Sequence, residues 1–416
     1  MRHFSDNYSA DIQKQSNKDE RISENPSPHT FISLFCGCGG MDLGLIQAGY
    51  RCLGAHDIDP HVIEVHNFNL DSPAEVSDLS KLPVITNNPI DIVASGSPCQ
   101  GFSTVGKRRL GDPRNELLVS AGHIAVSIHP KVFVAENVTG VVSGKHRTYW
   151  ERLRNILESN GYRTLDLRLE GDRLGLAQKR KRIFMTAWLK KCDFHPKLPE
   201  SDGIALRNVL IDIDGETKEE DKKYVTNSQI SMIVEHIKPG QKLSNVRGGP
   251  RSIHTWDIPE VFGITDQAER DVLITIMRLR RRYRVRDWGD ADPVPISLVL
   301  DELGSEASSI LDSLIHKRYL RKLGTHIDLK NTFNGKFRRL AWNEASPTVD
   351  TRFGDPKYFL HPDENRGFTV REAARIQGFP DWFVFKGSEK KQYQMIGNAV
   401  PPPMAKYLAI LIEELL

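Results

Sequence analysis

The sequence predicts an α/β fold: a doubly wound, mostly parallel sheet with a second, smaller domain. Between residues 31 and 190, short apolar runs alternate with helical patterns, as strands joined by crossover helices do. The first apolar run leads directly into a glycine-rich turn and a helix, the opening of a nucleotide-type βαβ unit. After about residue 190 the alternation stops. We therefore expect a disordered arm over 1–30, the sheet domain over 31–190, a second domain over 191–340 and a return segment over 341–416.

The composition is that of a soluble globular protein. The 416 residues are 39% hydrophobic and 27% charged, and no apolar run approaches the roughly 18 residues of a membrane span. The polar start of the chain lacks the apolar core of a targeting sequence. Five scattered cysteines argue against a disulfide framework and favour a reducing, cytoplasmic location. Cys36 and Cys38 are too closely spaced for a usual zinc pair, so no metal is expected.

Positive charge is clustered although the net charge is only +3. The clusters lie at 107–109, 179–182 and 278–286. Basic clusters within a near-neutral chain suggest local surfaces that face phosphate, although each cluster could also be a solvated face.

The first predicted strand, 31–35, is followed by the turn Cys-Gly-Cys-Gly-Gly at 36–40 and by a helix over 41–48. Glycines allow a ligand to approach the backbone where a Cβ atom would clash. No Gly-Lys-Ser/Thr follows, which argues against a phosphate-binding P-loop.

Acidic residues follow the next two predicted strands. The second strand, 52–56, leads to Asp57, and an acid about 20 residues beyond a glycine turn suits a ribose hydroxyl. Asp57 or Asp59 could instead cap the following helix, and for Asp59, just before Pro60, we favour the cap. A third strand near 75–77 leads to Asp78.

Cys99 stands just beyond the fourth predicted strand, 91–95, after the turn residues Gly-Ser-Pro. Ligands of open α/β sheets bind beyond the carboxyl ends of the strands, so this is the position of a nucleophile. A free cysteine is also often a small buried apolar residue, and position alone leaves both interpretations open. The fifth strand, 131–135, ends in Glu136.

The remaining sheet elements are predicted helices over 115–128 and 150–159 and strands over 162–170 and 183–188. Before the last strand stands Gln-Lys-Arg-Lys-Arg at 178–182. Arg180 and Arg182 alternate there, so on an extended segment they share one face.

The second domain contains a predicted helix over 265–282, followed by helix, helix, strand, turn and strand between 295 and 329. That order fits a winged-helix-like unit, a variant of the helix-turn-helix. An ordinary small α+β core with a hairpin explains the same pattern.

Taken together, these stretches resemble the DNA (cytosine-5) methyltransferases of bacterial restriction-modification systems. The resemblance covers about 31–190 and 338–416 and rests on motifs that occur in the family's order. In one departure, Asp57 stands where the family more often has Glu. The motifs are Phe-Ile-Ser-Leu-Phe-Cys-Gly-Cys-Gly-Gly at 31–40, Ser-Pro-Cys-Gln-Gly-Phe-Ser at 97–103, Glu-Asn-Val at 136–138, Gln-Lys-Arg-Lys-Arg at 178–182, Ser-Pro-Thr at 346–348 and Gly-Asn-Ala-Val-Pro at 397–401.

The resemblance implies a Rossmann-like methyltransferase sheet and a covalent mechanism. Cys99 would add to C6 of cytosine, and Glu136 would contact N3 and the exocyclic amine. Arg182 would hold the base or Glu136, and Arg180 would do so less directly or contact phosphate. Glu136 could instead cap a helix or form a structural ion pair.

The resemblance also implies S-adenosylmethionine as methyl donor. Asp57 would bind its ribose, Asp78 would lie near its adenine amine, and Asn398 would approach its methionine end. Asn398 could as easily tie the last helix to the first domain, and Phe35 could be a core residue. The implied cofactor-binding residues are Phe35, Gly37, Gly39, Gly40, Asp57, Ile58, Asp78, Leu79, Asn398 and Val400.

The implied partner is double-stranded DNA, with the target cytosine flipped out of the helix. The segment 101–111 would be a lid or a plain surface loop, and residues 191–337 would read the sequence. A monomer paired with a restriction endonuclease is expected from family habit. The rival hypotheses are an RNA methyltransferase with the same core, a DNA-binding regulator with an inert core and a nicotinamide-dependent oxidoreductase.

Overall fold

The computed structural model describes residues 29–81, 84, 88–98, 111–198, 203–211, 213, 219–246, 248–285, 292–333 and 335–416. Cys99, the expected arm except for its last two residues, and all of the expected lid except Gly111 lie outside the described residues. Within them, no helix combines the length and the apolar character needed to cross a membrane.

The elements follow the predicted alternation. The strands are β1 Thr30–Leu34, β2 Arg51–Asp57, β3 Ala74–Val76, β4 Ile92–Ser95, β5 Val132–Val138, β6 Arg163–Glu170, β7 Gln178–Lys179, β8 Lys181–Trp188, β9 Lys242–Leu243, β10 Ser252–Ile253, β11 Val294–Pro295, β12 Leu320–Leu323, β13 His326–Leu329, β14 Arg338–Arg339, β15 Ser346–Pro347 and β16 Phe359–Leu360. The helices are α1 Gly40–Gln47, α2 Pro60–Asn69, α3 Glu116–Ile128, α4 Arg147–Ser159, α5 Arg207–Leu210, α6 Ser228–Glu235, α7 Pro259–Phe262, α8 Gln267–Arg282, α9 Ile296–Leu303, α10 Ala307–His316, α11 Val370–Gln377, α12 Glu389–Asn398 and α13 Pro402–Ile412.

Among the described residues, seven strands form one sheet in the order β3-β2-β1-β4-β5-β8-β6. The pairs from β3 to β5 are parallel, and β8 is antiparallel to both of its neighbours. The predicted doubly wound, mostly parallel sheet is confirmed.

Successive side chains of the central strands are buried on opposite faces of the sheet. Phe31, Ile92 and Val134 belong to one hydrophobic cluster, whereas Leu34 and Phe133 belong to another. Neighbouring residues in a strand point to opposite sides of the sheet. A sheet covered by helices on both faces therefore needs apolar side chains at successive positions. It explains why the strands read as continuous apolar runs rather than as alternating patterns.

The chain divides into two compact units. Of the described residues, the first unit contains those up to Ile213 with Asn343–Thr351 and Val370–Leu416, and the second contains those of Asp214–Trp342 with Arg352–Thr369. Both divisions differ from the expected boundaries at 190 and 340. Phe194 packs edge-on against Trp188 with ring centres 5.5 Å apart, which keeps the chain beyond β8 on the first unit.

The second unit contains a three-stranded antiparallel sheet in the order β11-β13-β12. With α8, α9 and α10 it runs helix, strand, helix, helix, strand, strand, and these elements share one apolar cluster. This order agrees with the winged-helix-like interpretation of the sequence. Strand β11 was not predicted, because two residues, one of them proline, give no periodic signal.

The last helix of the chain packs closely on the first. A Cβ atom on Gly40 would stand 2.5 Å from the Val400 carbonyl oxygen, and one on Gly44 would overlap the Pro402 carbonyl oxygen. Only a residue without a side chain permits this approach of α1 to α13. The return segment thereby completes the first unit.

We expect Gly44→Ala to destabilise the first unit, because its Cβ would force α1 and α13 apart. Overpacking of this kind costs about 1–3 kcal/mol, more than alanine's gain in helix propensity of about 1 kcal/mol. The midpoint of thermal unfolding should fall by several degrees. The control is Gly54→Ala, where the nearest atom, His56 Nε2, would stand at an ordinary 3.5 Å. Equal midpoints for the two variants would contradict the proposed close packing.

Candidate active site

A cavity of about 250 Å³ lies within the first unit, at the carboxyl ends of the parallel strands. It is the position at which open α/β sheets bind ligands. Its walls come from the turns that follow β1 to β4, from the starts of α1 and α2, from single residues on α3, β5 and β8, and from α12 and the residues after it. The lining residues are Phe35, Cys36, Gly37, Cys38, Gly40, Met41, Asp57, Ile58, Asp59, Val62, Ser77, Asp78, Leu79, Gly96, Ser97, Pro98, Leu117, Glu136, Arg182, Lys391, Gln394, Met395, Asn398, Ala399 and Val400.

The glycine turn bends through three left-handed residues. Gly37 and Gly39 have φ angles of 55° and 95°, and Phe35, which carries a side chain, has φ 56°. Left-handed backbone at a residue with a bulky side chain is strained, and such strain persists where the surroundings over-determine it. Among the described residues, and apart from its two neighbours in the chain, no atom lies within 4 Å of the point where a Cβ on Gly37 would stand, so the turn leaves open space there.

Beneath the turn lies a buried hydrogen-bonded pair. His66 Nε2 lies 2.8 Å from Asp42 Oδ2, and Ser33 Oγ donates to Asp42 Oδ1 over 2.6 Å. A Cβ on Gly39 would meet the His66 ring at 2.8 Å. The pair therefore ties α1, α2 and β1 together under the turn.

This pair, with Cys36, brings three potential metal-ligand atoms within 4.8 Å of one another. Burial, aided by the nearby Asp42 and Asp57 carboxylates, raises the pKa of the Cys36 thiol well above its usual value. Both carboxylate oxygens of Asp42 are already engaged, one by Ser33 and one by His66, so the described contacts of this cluster support the turn.

Asp57 stabilises the glycine turn through hydrogen bonds to backbone N–H groups. Its two carboxylate oxygens accept the backbone N–H groups of Gly37 and Asp59, each over 3.0 Å. Burial raises the pKa of Asp57, although these two hydrogen bonds oppose the shift.

Asp59 caps α2, as favoured from the sequence. Its Oδ1 accepts the N–H of His61 over 3.0 Å, and Oδ2 lies 3.2 Å from Lys391 Nζ. Burial disfavours the charged form, but these partners outweigh it and hold the pKa of Asp59 below its usual value.

Glu136 and Arg182 form an ion pair at the cavity wall. Arg182 Nε lies 2.7 Å from Glu136 Oε1, and Glu136 is only 7% exposed. Strands β5 and β8 run antiparallel with Val138 opposite Arg182, so the start of β8 meets the end of β5. Pro98, the last described residue before Cys99, lines the same cavity.

Arg180 does not join this pair, and the expectation that it contacts phosphate is wrong. Its side chain is 1% exposed and donates to the carbonyl oxygens of Val349, Gly397 and Ala399 over 2.9–3.2 Å. Arg180 lies between β7 and β8, where the chain is not a regular strand, so the alternation argument fails. Arg180 holds the return segment against the first unit.

The other sequence-predicted residues lie around the cavity. Ile58, Asp78 and Leu79 line it from the turns after β2 and β3, and Asn398 and Val400 line it from the return segment. The Asp78 carboxylate accepts hydrogen bonds from Ser80 N and Oγ, which with Lys81 lower the pKa of Asp78. Gly39 is not among the lining residues and lies against His66 instead.

Sequence reasoning missed the face of α12. Lys391, Gln394 and Met395 line the cavity together with Asn398. Positions 391, 394, 395 and 398 have the i, i+3, i+4, i+7 spacing of one helix face. The sequence analysis did not predict a helix here. If it had, counting back from Asn398 along that helix would have identified these three residues.

Comparisons with known proteins identify the family and the fold. A model of the C-5 cytosine-specific DNA methylase family matches residues 29–414. The Type II methyltransferase M.HgiBI of Herpetosiphon aurantiacus is 29% identical over 90% of this chain and 94% of its own. The Type II methyltransferase M.Eco47II of Escherichia coli is 30% identical over 92% of this chain and 78% of its own. The crystal structure of the S. pombe Dnmt2 methyltransferase shares the fold with a TM-score of 0.51 at 16% identity, covering 93% of this chain and 99% of that one.

The family model spans nearly the whole chain, including the second unit that the resemblance of motifs left uncovered. The curated relatives match over most of their own length. The chain therefore belongs to the C-5 cytosine-specific DNA methylase family and is a DNA (cytosine-5) methyltransferase of the restriction-modification type.

Proposed function

We propose that the cavity holds S-adenosylmethionine, and that Cys99 adds to a cytosine flipped out of double-stranded DNA. The observation that carries the proposal is the Glu136–Arg182 pair, which lines the same cavity as Pro98, the neighbour of Cys99 in the chain. A buried carboxylate held by an arginine is suited to bind a polar ring edge beside a nucleophile.

The chemistry of the cavity fits the methyl donor. The open space beside Gly37 admits a ligand close to the backbone, and Asp57 offers carboxylate oxygens beside it to ribose hydroxyls. Ile58, which is 64% exposed, offers an apolar surface to an adenine ring. S-adenosylmethionine would supply an electrophilic methyl group from its sulfonium centre. Phe35, Gly40, Asp78, Leu79, Asn398 and Val400 complete the proposed binding set.

Cys99 acts as nucleophile in the proposed reaction. Its thiolate sulfur bonds to C6, and the electrons of the C5–C6 double bond make C5 nucleophilic enough to take the methyl group. Glu136 contacts N3 and the exocyclic amine and stabilises the charge that develops there. Loss of the C5 proton then expels the Cys99 sulfur and restores the ring.

Arg182 and Asn137 act as positioning residues. Arg182 holds Glu136 through the 2.7 Å contact described above. Asn137 is fully buried, and its Nδ2 lies 3.5 Å from the Ser97 carbonyl oxygen in the loop that leads to Cys99. These contacts relate the ends of β4 and β5, the two strands that deliver the reacting groups.

The proposed partner is duplex DNA of a specific sequence, acted on by a monomer. The target base leaves the stack at a cost of a few kcal/mol. Methylation of that sequence would protect it from a cognate restriction endonuclease. The Type II methyltransferase relatives support this pairing.

A duplex that carries 5-fluorocytosine at the target should trap a covalent adduct with the wild-type protein, because fluorine cannot leave as a proton does. Cys99→Ser should form no adduct and transfer no methyl group, yet bind S-adenosylhomocysteine normally in calorimetry. The control is Cys192→Ser, a free cysteine that does not line the cavity. Methyl transfer by Cys99→Ser, or labelling of tRNA alone, would overturn the proposal.

Glu136→Gln should lower kcat by about 10²–10⁴-fold, the range for a positioned acid or base, and leave duplex binding intact. Arg182→Lys should lower kcat less, and the double variant should not add, because both changes affect one pair. Single-turnover methyl transfer measures the effect. The matched control is Glu170→Gln. The Glu170 carboxylate forms a 2.7 Å ion pair with Lys181, and neither residue lines the cavity. An equal loss of kcat in Glu170→Gln would contradict the catalytic role assigned to Glu136.

Affinity for S-adenosylhomocysteine should fall as the pH is lowered and Asp57 becomes protonated. This fall should occur at a higher pH than the protonation of an ordinary aspartate. The pKa of Asp57 is raised by burial, and its protonation removes oxygens that accept N–H groups. Asp57→Asn should bind at least about tenfold more weakly at neutral pH, the cost of roughly one strong hydrogen bond, and should lose this pH step. Calorimetry across the acidic range measures both. Asp59→Asn should keep the step, because the pKa of Asp59 is lowered. A step that persists in Asp57→Asn would assign it to another group.

A further inference from the structure

The winged-helix-like unit carries two surfaces of opposite charge. The first, which we call the hairpin surface, combines exposed cations of the last turn of α8 and of the β12–β13 hairpin with its flanks: Arg281, Arg282, Arg318, Arg321, Lys322 and Lys330. The second, which we call the helix surface, consists of exposed acids on and between α9 and α10: Asp301, Glu302, Glu306 and Asp312. Of these, Glu302 pairs with Arg278 of α8. Neither α9 nor α10 contains a lysine or an arginine.

A buried aspartate unites the hairpin surface. Asp328 on β13 lies 2.7 Å from Arg280 Nε on α8 and 2.7 Å from Arg321 Nη2 on β12. Asp328 and Arg280 are each 3% exposed. The last turn of α8 therefore lies against the hairpin, so the exposed cations of the two elements are close neighbours. Arg321 and Lys322, adjacent in β12, point to opposite sides of the hairpin.

Several of these cations are free to meet an external anion. Within the described part of the chain, no ion pair involves Arg281, Arg318, Lys322 or Lys330, whereas Lys317 pairs with Glu269 over 2.7 Å. The hairpin turns at Gly324, which has φ 62°, and Leu323 before it is 44% exposed. The tip thus projects an apolar residue amid positive charge.

We propose that this unit docks on the phosphate backbone of duplex DNA through the hairpin surface, and that α10 does not enter a groove. The inference rests on the proposed function, since it takes duplex DNA as the substrate. Helix-turn-helix proteins usually place the second helix of the motif in the major groove. Here that helix is α10. Asp312 on α10 and Glu306 just before it are exposed and would be repelled by phosphates, whereas the hairpin cations would neutralise phosphates.

The test is the salt dependence of binding to a fluorescent random-sequence duplex, because phosphate contacts do not depend on sequence. The variant combines Lys322→Gln and Lys330→Gln with Arg318→Asn, since Arg318 has φ 63° and asparagine tolerates that conformation. We expect at least about tenfold weaker binding at low salt. The slope of log affinity against log salt should be smaller by about 2–3, since each phosphate contact contributes about 0.9.

The matched control removes charge from the helix surface, through Glu306→Gln with Asp312→Asn. It should bind the duplex as well as or better than the wild type. Because all these side chains are exposed, circular dichroism should show unchanged folding in both variants. The helix variant should also keep the wild-type rate of methyl transfer to saturating plasmid DNA. An unchanged slope in the hairpin variant, or weaker binding in the helix variant, would overturn the proposal. A wild-type protein that binds no duplex DNA would instead overturn the proposed function.

Discussion

The site depends on the reversed direction of a single strand. Glu136 sits almost wholly buried at the end of β5, where a carboxylate without a partner would be costly. Because β8 runs against β5, its first residues arrive at the edge of the sheet where the parallel strands end, and Arg182 meets Glu136 there. A parallel strand in the same place would begin at the opposite edge and leave the carboxylate unpaired.

Residues 178–180, just before β8, hold the return segment at the same edge of the sheet. Gln178 is fully buried, donates to Gln377 Oε1 over 2.7 Å and accepts the N–H of Val349 over 2.9 Å. Arg180 donates hydrogen bonds to three carbonyl oxygens of the return segment. One short stretch thus supplies both the partner of Glu136 and the contacts that hold the far wall of the cavity.

The sheet could be predicted from the sequence because its signal is local: buried strands are apolar runs, and crossover helices separate them. Asp59 could also be assigned, since a cap is set by its immediate neighbours. Arg180 could not, because its partners lie about 170 and 220 positions away and no pattern announces them. The bounds of the compact units differ from the expected domain boundaries for a similar reason. Residues 352–369 belong to the second unit through the pairing of β14 with β16, whose two-residue strands carry no periodicity.

The closeness of α1 and α13 has a consequence for biosynthesis. One wall of the cavity is a turn made within the first tenth of the chain, and the facing wall is made almost at its end. While the protein is still being translated, the early turn has no opposite wall, so the cavity cannot form on the ribosome before the final helix emerges. Nascent chains therefore lack a complete pocket until residues 391–400, which form the facing wall, have left the ribosome.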